Sequence, residues 1–184
     1  MARKPADVRM MNKAVHYLGR YSSSRHKLAQ VLQRFADRKL ADYDPQDIRA
    51  ALEQTLNQCA KLGYIDDWQF AVTTARSQRR LGRSQAVIRQ RLRQHALDDD
   101  TIMQALAEAD EDCIDADLQA AIRFAQRRRL GPFANRTSAS NLRHDPQQWR
   151  QRDLGAMARA GFSFATARKI IEHDDPDTID ELLD

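Results

Sequence analysis

The sequence has little of what builds covalent or β-rich frameworks. Across 184 residues there are two cysteines, Cys59 and Cys113, neither in a Cys-x-x-Cys arrangement nor near a spaced histidine pair. That excludes a disulfide scaffold and argues against a structural zinc site, so both thiols are expected to be reduced. Five Val and nine Ile stand against 27 Ala, 24 Arg, 17 Leu and 16 Gln, a balance that favours helices over strands. The six glycines are scattered, so no phosphate-cradling loop of the P-loop or dinucleotide type is present and no cofactor is expected. No apolar run approaches 18 residues, and the first residues, Met-Ala-Arg-Lys-Pro, lack the apolar stretch of a signal peptide. A soluble, cytoplasmic, all-α protein with no membrane association is the expectation. Of the five histidines (His16, His26, His95, His144 and His173), no two share i,i+4 spacing and none has a nucleophile setting, so neither a metal site nor an enzyme is expected.

What the chain does have is charge, in blocks. The formal net charge is only +4, with Arg outnumbering Lys 24 to 6. Between positions 76 and 93 lie seven arginines and no acid, positions 94–122 hold nine acids and no Lys or Arg, and 172–184 hold seven acids and no Lys or Arg. Arginine's planar fork suits bidentate contact with carboxylate or phosphate, so the expected partner is a polyanion or an acidic protein face. An arginine-rich solvated helix surface is the competing reading.

Helix signals recur. Ile48, Ala51, Leu52, Thr55, Leu56, Cys59 and Leu62 repeat at steps of three and four, which lays one stripe along a helix and makes Cys59 a packed core thiol. Asp44-Pro45 is its start signal and Gly63 its stop. Asp66 with Gln69 resembles a capping box, Asp145-Pro146 repeats the Asp-Pro start, and Ser24, Ser84 and Ser163 are further N-cap candidates. The adjacent pair Asp66-Asp67 diverges by about 100° on a helix, so cap and dipole roles are expected rather than a shared ligand.

Three internal repeats align. Ser24-Arg-His-Lys-Leu28 matches Ser84-Gln-Ala-Val-Ile88 at an offset of 60, and Ile48-Arg-Ala-Ala-Leu52 matches Ile102-Met-Gln-Ala-Leu106 at 54. Arg79-Arg-Leu-Gly82 recurs as Arg128-Arg-Leu-Gly131 at 49, whereas Leu92 and Met157 lie 65 apart, which places a 16-residue insertion near 132–147. The expected organisation is an elongated, curved array of tandem three-helix repeats: 12–62, 63–110, and 111–173 with the inserted loop, followed by an acidic tail at 174–184. Units this small bury too little surface to stand alone, so stacking is expected. The tail is read chiefly as a solvated end, with docking over a basic surface as the alternative.

The stretch Gly63-Tyr64-Ile65-Asp66-Asp67-Trp68-Gln69-Phe70-Ala71 resembles the Gly-Tyr-(Leu/Ile)-Asp-Asp-x-x-Phe-Ala signature of the RecX family, regulators of the RecA recombinase. Tyr17-Leu18 followed by Ser-Ser-Arg-His-Lys-Leu28, then Ile88-Arg-Gln-Arg-Leu92, then Met157-Ala-Arg-Ala-Gly161-Phe162-Ser163 extend the resemblance over roughly positions 12–172. Gln69 stands where a basic residue is common in that family. The resemblance implies a non-enzymatic regulator, mainly an inhibitor, that binds in the groove of the RecA–DNA filament, bridges subunits and damps ATPase and strand exchange. A direct single-stranded or duplex DNA-binding module is the alternative, so DNA is a second candidate partner, and a monomer is expected. Gly63, Tyr64, Ile65, Asp66, Asp67, Phe70, Ala71, Gly161 and Phe162 are read as signature residues with a mainly structural, packing role. The candidate contact residues form a basic ridge: Arg76, Arg79, Arg80, Arg83, Arg89 and Arg93, with Arg127, Arg128 and Arg129 in the equivalent place of the third repeat. Simple solvation of that ridge competes with this assignment.

Overall fold

A computed structural model describes residues 5–134, 145–173 and 175–183. Among these the chain is all-α, with no strand. The helices are α1 (Ala6–Leu18), α2 (Arg25–Lys39), α3 (Pro45–Lys61), α4 (Asp67–Arg80), α5 (Gln85–Arg93), α6 (Asp99–Ala109), α7 (Ala116–Arg128), α8 (Pro146–Arg159) and α9 (Phe164–Ile171), with 3-10 turns at Gly131–Phe133 and Ile179–Leu183. None of the described helices is long and apolar enough to cross a membrane. Most of the loop expected at 132–147 lies outside the described residues, as do positions 174 and 184 of the tail.

Local chemistry sets the helix ends. Asp44 and Asp145 each accept the N–H two residues on, from Gln46 at 2.7 Å and Gln147 at 2.9 Å, with proline at the first helical position. Ser24, Ser84 and Ser163 cap α2, α5 and α9 through Lys27, Val87 and Thr166. At the end of α3 the N–H of Gly63 (φ +71°) reaches the Ala60 carbonyl and that of Tyr64 reaches Cys59, a Schellman closure; Gly82 and Gly161 end α4 and α8 in the same way. At the end of α7 the same pair of bonds runs from Arg129 to Gln126 and from Leu130 to Ala125, and the left-handed residue is Arg129 itself (φ +54°).

The helices form two compact units. One comprises the chain up to Ala71 together with Arg93–Thr101, the other Val72–Leu92 together with residues from Ile102 onward. In the first, α1, α2 and α3 bury Met10, Ala14, Leu28, Leu32, Leu40, Leu56 and Cys59, each worth roughly 1–3 kcal/mol of apolar transfer. Burial also raises the Cys59 thiol pKa, consistent with its core role. The second unit centres on Leu118, Ile122, Phe124, Met157, Phe162 and Ile170. Ile179, only 1% exposed, joins this core, with Leu182 and Leu183 packed beside it, while the His173 ring hydrogen-bonds the Thr178 hydroxyl at 3.1 Å. The acidic tail is therefore not a solvated end. Its apolar residues anchor it, while Asp175, Asp177, Asp180 and Glu181 stay exposed.

Candidate functional site

The signature residues divide by role. Gly63 supplies the left-handed helix stop, Ile65 and Ala71 are buried, and Phe70 lies against the His95 ring with centroids 4.7 Å apart. Asp66 accepts the Gln69 N–H at 3.0 Å and so caps α4, while Asp67 accepts the Arg25 N–H at 2.7 Å in the first turn of α2. One carboxylate thus serves its own helix and the other a helix more than 40 positions earlier in the chain. Phe162 is buried against Phe124, and Gly161 sits where a Cβ would come within 2.6 Å of the Ser84 hydroxyl. Tyr64 departs from its expected packing role. It is 52% exposed, because the reversal at Gly63 uses its N–H to close α3 and turns its ring outward.

The nine arginines expected on one ridge meet five different surroundings. Arg79 is buried: its Nε and Nη2 donate to the two carboxylate oxygens of Asp110 at 3.0 and 2.7 Å, and its Nη1 donates to Asp117 at 2.6 Å. Burial opposes its charged form, but the hydrogen bonds and attraction of both carboxylates outweigh that and raise its pKa. The same Asp117 oxygen accepts the Gln85 N–H at the start of α5. Arg79 is therefore a packing element and not part of an accessible ridge, since two facing acids hold it inside. Arg76 and Arg93 remain exposed but pair with Glu108 at 3.5 Å and Asp99 at 2.8 Å. Arg89 is half-buried, with its Nε sheltered and unpartnered among the described residues. Arg127 donates to the Leu81 carbonyl at 2.6 Å, which satisfies the end of α4. Of the nine, Arg80, Arg83, Arg128 and Arg129 are exposed with no carboxylate partner among the described residues.

Two basic concavities form where sequence reading saw only part of the charge. In the second unit a groove of about 470 Å³ between the end of α7 and α8 joins Arg127, Arg128 and Arg129 to Arg152 and Arg159, with Trp149 and the buried Asp153 in its lining. In the first unit a concavity of about 220 Å³ is lined by Lys13 of α1 and by Arg34, Arg38 and Lys39 of α2. The i,i+4 spacing of Arg34 and Arg38 was visible in sequence, but their approach to Lys13 depends on how α1 packs on α2. No group of three His, Cys, Asp or Glu residues suited to a metal ion occurs among the described residues.

A family model described as RecX, second three-helix domain, matches residues 66–106. The regulatory protein RecX of Myxococcus xanthus is 33% identical over 172 residues, which span 92% of this chain and 88% of that protein. That of Agrobacterium fabrum is 29% identical over 161 residues, 87% of this chain and 80% of the other. The crystal structure of RecX from Lactobacillus salivarius has the same fold, with a TM-score of 0.64 at 15% identity, covering 92% of this chain and 96% of that one. Sequence identity over nearly the whole length, with the helical architecture matching alongside, places this chain in the RecX family of regulatory proteins.

Proposed function

We propose that the chain is a non-enzymatic regulator, mainly an inhibitor, of the RecA recombinase, and that it binds in the groove of the RecA–DNA filament. Family membership supports the partner. The observation that carries the reading is the set of exposed arginines left without a carboxylate, Arg80, Arg83, Arg128 and Arg129, which are free to meet acidic subunit faces. The three repeats, 12–62, 63–110 and 111–173, each contribute contacts, and bridging raises the effective concentration of every added one, so less than one copy per RecA subunit suffices. Binding the low-turnover filament state more tightly then damps ATPase and strand exchange.

The test adds purified protein, at substoichiometric amounts, to RecA on single-stranded DNA. Expected is a fall in ATP hydrolysis that the double charge reversal Arg80→Glu, Arg83→Glu weakens at least tenfold in the concentration required, with helical signal retained. Unchanged hydrolysis by the parent protein overturns the function, and unchanged potency of the variant overturns the site.

A further inference from the structure

The concavity between α1 and α2, about 220 Å³, has a cationic rim and an apolar floor. Lys13, Arg34, Arg38 and Lys39 supply the charge, Val31 and Phe35 the apolar surface, and no acid lines it. None of the four cations meets a carboxylate among the described residues. Asp37, on the same helix, lies outside the lining and accepts from the Gln33 amide at 2.8 Å. Val31 and Phe35 are one turn apart, as are Arg34 and Arg38, so α2 lays an apolar pair beside a cationic pair, each spanning about 6 Å along the axis.

The two arginines are held ready for an anion. The Nε of Arg34 donates to the Gln30 carbonyl and that of Arg38 to the Arg34 carbonyl, each at 3.1 Å, which fixes both stems against the helix and leaves the terminal nitrogens to grip a carboxylate. The floor selects what else the ligand carries. A nucleic-acid strand offers its apolar surface as flat bases, which need an open ring face. Phe35 is the single aromatic side chain in the lining, and the Arg9 guanidinium already lies over its ring, 6.0 Å from the centroid. An acidic peptide instead brings a compact apolar side chain, which gains by leaving water for Val31 and Phe35 while neighbouring carboxylates meet the rim. A flat acidic surface would reach the rim but not the floor.

We infer that this concavity is a docking site for an acidic peptide segment of a partner protein, with one apolar side chain seated on Val31 and Phe35 and the flanking carboxylates held by Arg34 and Arg38, with Lys13 and Lys39 adding charge around them. The site lies apart from the exposed arginines of α4, α7 and the turns that follow them, and it does not require the proposed action on RecA.

The test measures fluorescence anisotropy of a labelled pentapeptide, Asp-Asp-Leu-Asp-Asp, with the full chain and no RecA. Expected is saturable binding that weakens as salt screens the charges. Exchanging the central Leu of the peptide for Ser raises Kd at least fivefold, and the double variant Arg34→Glu, Arg38→Glu of the protein, with helical signal retained, raises it at least tenfold. Val31→Ser is the second variant: it brings the Leu and Ser peptides to equal affinity, a result that loss of charge attraction alone would not give. Absence of binding by the parent overturns the inference, as do equal affinities of the parent for the two peptides or parent-like behaviour of both variants. Displacement of the peptide by oligothymidine at equal charge concentration also overturns it, because the concavity would then be a general anion site. RecA ATPase is assayed in parallel with the parent chain. Peptide binding without inhibition leaves the docking site standing and removes the proposed function, and inhibition without peptide binding does the reverse.

Discussion

Arg79 and Arg80 are adjacent in the chain and meet opposite surroundings. One is locked between Asp110 and Asp117, and the other faces solvent. A buried charge stripped of its partner is costly, so replacing Arg79 with Ala, which leaves two carboxylates without their cation, is expected to destabilise the fold by about 3–5 kcal/mol. Arg80→Ala should stay within about 0.5 kcal/mol. Urea denaturation of both variants checks the contrast. The sequence could not separate them, because the acids that hold Arg79 lie 31 and 38 positions away, one just after α6 and one in the first turn of α7, and become neighbours only when those segments pack against the end of α4. Cys59 was legible for the opposite reason: its place on an apolar stripe at helical spacing is a local property.

At the scale of the element, the helix ends follow residue chemistry closely. Asp-Pro starts, serine caps and glycine stops act within a few residues, so the sequence specifies them without help from the tertiary structure. Two of those glycines still differ in what surrounds them. A Cβ at Gly63 would meet nothing within 4 Å, whereas one at Gly161 would come within 2.6 Å of the Ser84 hydroxyl, which caps α5 and donates to the Ala160 carbonyl at 2.7 Å. Gly63→Ala is expected to cost about 1–2 kcal/mol of left-handed strain alone. Gly161→Ala adds the loss of a cap, about 1 kcal/mol more, measurable as a lower thermal midpoint than that of Gly63→Ala. Tyr64 shows the limit of this legibility. Its position in a signature suggested packing, but the direction of a side chain after a left-handed residue depends on the turn.

Over the whole molecule, the charge blocks take on a second meaning. The basic run at 76–93 and the acidic run that follows it partly neutralise one another through Arg76–Glu108, Arg79–Asp110, Arg79–Asp117 and Arg93–Asp99. Segregation along the sequence therefore serves internal pairing as well as any partner, and the cations left over are fewer than the composition suggests. The C-terminal segment is likewise structural. Ile179→Ala removes a fully buried side chain from the core of the second unit and is expected to cost about 2–5 kcal/mol, read from the urea midpoint. Deleting the segment from Pro176 onward should destabilise that unit, and wild-type stability after the deletion would contradict the anchoring role.

The sequence by itself determined the all-α class, the helix starts and stops, the buried stripes and the family, since each depends on residues close together in the chain or on a signature that runs through it. Tertiary structure alone decided which arginines are available and which are held inside, where the tail lies, and that Arg152 and Arg159 share a groove with Arg127, Arg128 and Arg129. Whether a guanidinium is exposed depends on the groups placed opposite it from distant parts of the chain, and only the packing of the helices sets those neighbours.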